Sequence, residues 1–154
     1  MPRIANPEDR VQAEVVQLLR LHGGEVMIFA QGFRGHFDPV TKRVVPDRGG
    51  TRQTPGISDL EVFFPPHVAR LDSILALYGF LGKFEVKTPD GMKLHDRMIA
   101  ARWQDVPKSR LKDWVRAHAQ QDYENHCRRC NVPYARGGVA EAVAWLVSLG
   151  IREK

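Results

Sequence analysis

Apolar residues recur at the spacing of an amphipathic helix in several parts of this chain. In the first of them Val11, Val15 and Leu18 share one face, Pro7 suits the first helical turn, and Gly23 and Gly24 end the pattern. The predicted helices cover residues 7–22, 93–103, 110–130 and 139–149.

Short apolar runs bounded by turn residues alternate with these helices and predict strands. They cover residues 25–30, 58–64 and 80–87, with a further short strand near Tyr134 and a hairpin arm over 42–45. Thr88–Gly91 is predicted as a turn, and residues 67–77 are compatible with either helix or strand. The order of elements predicts a single α/β domain, 1–154, with a mixed sheet flanked by helices.

The stretch from Gln31 to Gly56 is polar and rich in glycine, proline and arginine. A long irregular segment within a compact domain is often functional. Two interpretations stay open: a solvated surface loop, or a loop that contacts phosphates through Arg34, Arg48 and Arg52.

The composition and charge of the chain limit the kinds of protein that it can be. The 154 residues are 43% hydrophobic, and 23 lysines and arginines against 18 aspartates and glutamates give a net charge of +5, which is compatible with a polyanionic partner. No apolar run approaches the roughly 20 residues of a membrane span, and the polar start is unlike a signal peptide, so we expect a cytoplasmic protein without a membrane partner. Cys127 and Cys130 are then expected to be reduced. One cysteine pair favours two thiols near a helix end over a structural zinc or redox site.

Asp59, Glu85 and Lys87 form the candidate chemical cluster. Side chains alternate along a strand, so Glu85 and Lys87 point the same way while Val86 points to the core. If the two strands pair antiparallel, Asp59 lies beside Glu85. Two adjacent carboxylates repel each other unless a cation lies between them, and magnesium prefers such oxygen ligands. The alternative is a surface ion pair and an aspartate that caps a turn.

These residues stand in a wider pattern: PGISDLEVFF, then KFEVKTPDG, a later helix with Gln120, and a last helix with EAVAWL, after a first helix with Glu14. The pattern resembles the PD-(D/E)xK nuclease superfamily, and more narrowly its virus-type replication-repair nuclease (VRR-NUC) domain, over roughly residues 8–149. The resemblance implies a restriction-endonuclease-like core. It also implies metal binding by Asp59, Glu85, the carbonyl of Val86 and Glu14, and catalysis by Lys87 together with those acids and Gln120.

The chain departs from the family pattern at two points. Ser58 stands where the superfamily has proline before its aspartate. Residues 92–119 look like a helical insertion between the lysine strand and the glutamine helix, which makes Gln121 the alternative to Gln120. The insertion carries basic residues and two tryptophans, and two interpretations stay open: a nucleic-acid clamp, or a solvated basic face with tryptophans in the core.

What the resemblance implies is a magnesium- or manganese-dependent endo- or exonuclease that hydrolyses DNA, with branched, flapped or junction DNA as substrates, in a phage or DNA-repair setting and as a homodimer. The expected nucleic-acid-binding residues come from the polar stretch and from the basic insertion: Arg34, Arg48, Arg52, Lys93 and Arg97. The alternative hypothesis is a basic DNA-binding module without catalysis.

Overall fold

Helices and strands alternate through the part of the chain that the structure, a computed structural model, describes: residues 6–29, 35–46, 58–66 and 78–151. The helices there are α1 (Pro7–Leu21), α2 (Pro89–Ala100), α3 (Leu111–Arg129) and α4 (Val139–Ser148). The strands are β1 (Glu25–Ile28), β2 (Gly35–Asp38), β3 (Arg43–Pro46), β4 (Leu60–Phe64), β5 (Phe80–Val86) and β6 (Tyr134–Gly137). Two 3₁₀ turns, Trp103–Asp105 and Lys108–Arg110, join α2 to α3.

Four of the strands form one mixed sheet in the order β1-β4-β5-β6. β4 pairs antiparallel with both β1 and β5, while β6 runs parallel to β5. β2 and β3 form a separate antiparallel hairpin, which contains the hairpin arm predicted over 42–45. The prediction of an α/β fold with a mixed sheet flanked by helices is therefore confirmed.

The main core lies between one face of this sheet and helices α1 and α4. Along β4 every second side chain, from Leu60 through Val62 to Phe64, is fully buried against it, as the period of a strand requires. Trp145 of α4 lies so close to β5 that a Cβ on Gly82 would come within 2.7 Å of its ring. This glycine lets the helix approach the sheet.

The opposite face of the sheet carries polar side chains and meets α3. Helix α2 packs on α3 through a second, smaller core built from Met98, Val106, Trp114, Val115 and Ala117. The indole N–H of Trp114 donates to the carbonyl oxygen of Ala101 at 2.9 Å, so this tryptophan is a core residue. Trp103 is 37% exposed. The segment predicted as a helical insertion is thus a helical unit with its own core.

The predicted turn over Thr88–Gly91 is wrong. Helix α2 begins there, at Pro89, because the hydroxyl of Thr88 accepts a hydrogen bond from the N–H of Gly91 at 3.1 Å and proline tolerates the first helical position. The predicted helix over 93–103 ends earlier, at Ala100, and the first strand ends at Ile28. Residues 67–77, whose prediction stayed open, lie outside the described residues. None of the described helices combines the length and the apolar character needed to cross a membrane.

Candidate active site

Asp59, Glu85 and Lys87 meet at one edge of the sheet, as the sequence predicts. Asp59 stands immediately before β4, next to the register pair Leu60–Phe84, and Lys87 follows the last residue of β5. Val86 points into the main core and is fully buried, which confirms the predicted alternation along β5.

A continuous set of hydrogen bonds joins these groups. The backbone N–H of Asp59 donates to Oε2 of Glu85 at 3.2 Å, and the N–H of Val86 donates to Oδ2 of Asp59 at 3.0 Å. The ammonium of Lys87 lies 3.2 Å from Oε1 of Glu85. The side-chain amide of Gln120, on α3, donates to the same oxygen. Both carboxylates are therefore held in defined orientations.

The cluster is almost completely removed from solvent: the exposed fractions are 0% for Glu85, 5% for Asp59 and 7% for Lys87. Burial and then the negative charge of Asp59 raise the pKa of Glu85 to about 7, against the opposing positive charges of Lys87 and Arg116. One ammonium thus does not compensate two buried carboxylates, and the site favours additional positive charge.

The donor chemistry of the pair suits a hard divalent cation. Asp59 and Glu85 supply carboxylate oxygens, and a magnesium or manganese ion commonly takes only one or two protein carboxylates and completes its coordination with water. Within the described ranges no group of three or more histidine, cysteine, aspartate or glutamate side chains is placed to hold a metal. The carboxylate pair therefore fits an ion that retains several waters.

A cavity of about 150 Å³ opens beside Lys87 and Gln120. Its wall is formed by residues of α2, by one face of α3 and by the start of α1. The lining residues that bear on its chemistry are Glu8, Lys87, Thr88, His95, Asp113, Arg116 and Gln120. The cluster thus has a polar space next to it, on the side of the lysine.

Glu14, the predicted additional acid, is exposed on α1 and does not belong to the lining of this cavity. Glu8, nearly two turns earlier on the same helix, does line it, and its Oε1 lies 3.8 Å from Nη2 of Arg116. Residues six positions apart on a helix point in different directions, so the helix start, rather than its middle, brings a carboxylate to the site.

Gln120 rather than its neighbour Gln121 reaches the cluster. Gln120 is 4% exposed and contacts Glu85, whereas the amide of Gln121 donates to Asn125 on the exposed side of α3. Asn131, which follows the end of α3, has a φ of 55°. Glycine and asparagine are the residues that adopt this conformation most readily after a helix.

The structure describes two of the five predicted nucleic-acid-binding residues. Arg34, Arg48 and Arg52 lie outside the described residues. Lys93 and Arg97 are exposed on α2, away from the cavity lining. Cys127 is buried and Cys130 exposed, both as free thiols at the end of α3, in agreement with the sequence interpretation.

Sequence reasoning missed a buried polar network on the same face of the sheet. Nη1 of Arg136, on β6, lies 2.6 Å from Nε2 of His95, and its Nη2 lies 2.8 Å from Oε2 of Glu124. Arg128 binds the other oxygen of Glu124 at 2.7 Å. One indication of this network was present in the sequence: helical spacing places His95 on the same face of α2 as Leu94 and Met98.

Searches of protein-family models, of curated proteins and of solved structures find no match to this chain. The evidence for a function therefore comes from the site itself.

Proposed function

We propose that this protein is a metal-dependent nuclease that hydrolyses phosphodiester bonds in DNA with magnesium or manganese as cofactor. The observation that supports it is the buried, hydrogen-bonded cluster of Asp59, Glu85 and Lys87 beside a polar cavity. Two acids and a lysine on neighbouring antiparallel strands resemble the PD-(D/E)xK arrangement. A restriction-endonuclease-like core is part of the same proposal.

Each residue has a distinct task in this mechanism. Asp59 and Glu85 would hold the ion, which when bound acidifies a water and neutralises charge that develops on phosphate oxygens. Gln120 and Lys87 fix the Oε1 side of Glu85, and the N–H of Val86 fixes Asp59. Such preorganisation lowers the cost of reaching the transition state, because the groups need no rearrangement during the reaction.

Lys87 is the residue of the cluster that lines the cavity. Its ammonium is a compact cation that can orient the attacking water or stabilise negative charge on the phosphate. Its ion pair with Glu85 holds it pointed toward the carboxylates. We therefore assign Lys87 the role of the catalytic cation.

The test uses labelled linear, flapped and four-way DNA, with magnesium, manganese or EDTA. Lys83 offers a matched control for Lys87, because it lies on the same strand and face and is ion-paired with Glu61. We expect metal-dependent cleavage that Lys87→Met reduces by at least about a hundredfold, the scale of one lost electrostatic group, and that Lys83→Met leaves within severalfold of wild type.

Folded protein that cuts none of these substrates with either metal would contradict the proposal. Salt-sensitive DNA binding that ignores EDTA and Asp59→Asn would then favour the basic binding module, whose support is the net charge of +5. A preference for branched DNA and a homodimer stay predictions, which the same substrates and a measurement of solution mass address.

A further inference from the structure

His95 is a buried polar side chain of the cavity wall that the proposed mechanism leaves without a role. It lies on α2, is 4% exposed, and lines the same cavity as Lys87 and Gln120. Gln120 also interacts with the side chain of His95. The ring therefore stands next to the cluster without belonging to it.

The contacts of the imidazole determine which nitrogen carries its proton. Nε2 lies 2.6 Å from Nη1 of Arg136. A guanidinium can only donate hydrogen bonds, so Nε2 must accept, and the neutral ring carries its proton on Nδ1. Burial, then the positive charges of Arg136 and Lys87, lower the pKa of His95 to about 4, in agreement with a neutral ring.

No group in the described part of the chain meets the distance and angle of a hydrogen bond to Nδ1, although the Gln120 side chain is close enough to raise the pKa of the ring. A buried donor without an acceptor costs free energy, and such an atom in a cavity wall points to an acceptor supplied by a ligand. The partner Arg136 is itself held by Glu124 at 2.8 Å. The network thus keeps the ring in one orientation and one tautomer.

The charges around the cavity favour an anionic acceptor at this position. The two carboxylates on its wall are each opposed by an arginine: Glu8 by Arg116 at 3.8 Å and Asp113 by Arg110 at 3.1 Å. Lys87 lies deeper in the site, is 7% exposed, and both lines the cavity and pairs with Glu85. The inner wall therefore presents an ammonium and a neutral N–H donor to whatever enters.

We propose that His95 binds a phosphate oxygen of the substrate through Nδ1–H, beside Lys87, as a neutral and preoriented donor. The inference rests on the proposed function, since it names the phosphodiester group as the ligand of the cavity. A neutral donor that Arg136 fixes contributes to binding at the phosphate without adding charge to a site that already contains Lys87.

The direct test follows the histidine side chains of the ¹⁵N-labelled protein by NMR, without metal, while the dinucleotide dTpdT is added. His118 is the internal control, because it is half-buried on α3, packs against Trp114 with its ring tilted, and lies outside the cavity lining. We expect a protonated Nδ1 on His95 that shifts with dTpdT and not with thymidine, while His118 stays unchanged. Inorganic phosphate is a parallel arm that separates a free-ion site from a phosphodiester site.

Two variants test the donor itself. His95→Asn places an amide N–H near the position of Nδ1, whereas His95→Leu removes the donor, and both lose the contact with Arg136. We expect dTpdT to bind His95→Leu about ten- to a hundredfold more weakly than wild type, the scale of a hydrogen bond to a charged group. His95→Asn should stay within severalfold, with both variants folded by circular dichroism.

Each outcome separates the two proposals. A shift of His95 by dTpdT in a protein that cuts no DNA supports this inference and contradicts the nuclease. Metal-dependent cleavage with equal activity of both variants and no shift of His95 overturns this inference and leaves the nuclease. A proton found on Nε2, or a response to inorganic phosphate alone, also overturns it.

Discussion

The backbone N–H of Asp59 donates a hydrogen bond to Oε2 of Glu85, a residue 26 positions further along the chain. Oδ2 of Asp59 in turn accepts from the N–H of Val86 at 3.0 Å. Each acid is thus held by the backbone beside the other, so that two negative charges share one buried edge of the sheet. Several measurable properties follow from this arrangement.

The metal-free protein should lose stability as the pH rises. The folded-state pKa of Glu85 is about 7 against an ordinary 4.5, because of burial and of Asp59. Glu85 therefore contributes stability that is fully present below pH 4.5 and is lost as the pH rises through 7. The total loss is roughly 3 kcal/mol, since one pKa unit corresponds to ~1.4 kcal/mol. Urea unfolding at a series of pH values measures the loss.

His95 also makes the stability depend on pH, so the pH range of the unfolding measurement must lie above the range in which His95 dominates. Its folded-state pKa of about 4 lies below the ordinary 6.5, so its contribution is present above 6.5 and is lost as the pH falls toward 4. Between pH 6.5 and about pH 8 the contribution of Glu85 falls by about 1 kcal/mol, while the lowered pKa values of His95 and His118 each add a smaller change of opposite sign. Glu85→Gln should remove the fall, and a stability that still falls in this variant would contradict the assignment.

Magnesium should stabilise the folded protein through the carboxylate pair. A ligand at a hundred times its dissociation constant adds about 2.7 kcal/mol to the free energy of unfolding. Thermal unfolding with and without magnesium checks the expected rise in melting temperature. Asp59→Asn should remove the rise, whereas Glu61→Gln, on the same strand but paired with Lys83, should keep it. An equal rise in both variants would place the ion elsewhere.

Gln120→Met should impair cleavage while Gln121→Met should not. The amide of Gln120 donates to buried Glu85, and its removal leaves that oxygen with one donor fewer, at a cost of about 1–3 kcal/mol. The amide of Gln121 donates to Asn125 on the exposed face of α3. Single-turnover rates and urea unfolding of both variants make the comparison. Equal behaviour of the two variants would remove Gln120 from the site.

Gly82→Ala should destabilise the fold by about 1–3 kcal/mol, the usual cost of overpacking a core. The added Cβ would lie 2.7 Å from the ring of Trp145, which packs between Phe64 and Phe84. The midpoint of urea unfolding measures the change. Gly91→Ala is the control, since its Cβ would lie 3.2 Å from the Thr88 hydroxyl and at an ordinary contact distance of 3.6 Å from the Lys87 side chain.

The sequence by itself determined the elements and the central cluster. Periodicity located α1, α3 and α4 to within about two residues, because a helix or strand that buries one face must repeat its apolar residues at a fixed period. Alternation along β5 was enough to place Glu85 and Lys87 on one face and Val86 on the other. The sequence pattern was misleading at Thr88–Gly91, because residues typical of a turn can also cap a helix.

Only the tertiary structure decided which distant groups share a space. Glu8 rather than Glu14 reaches the cavity because the rotation of α1 against α4 and the sheet determines which of its residues face the site. His95 and Arg136 meet because the parallel pairing of β6 with β5 sets Arg136 beside Glu85 and below α2. Contacts between elements depend on packing angles and register, and no local pattern of residues encodes them.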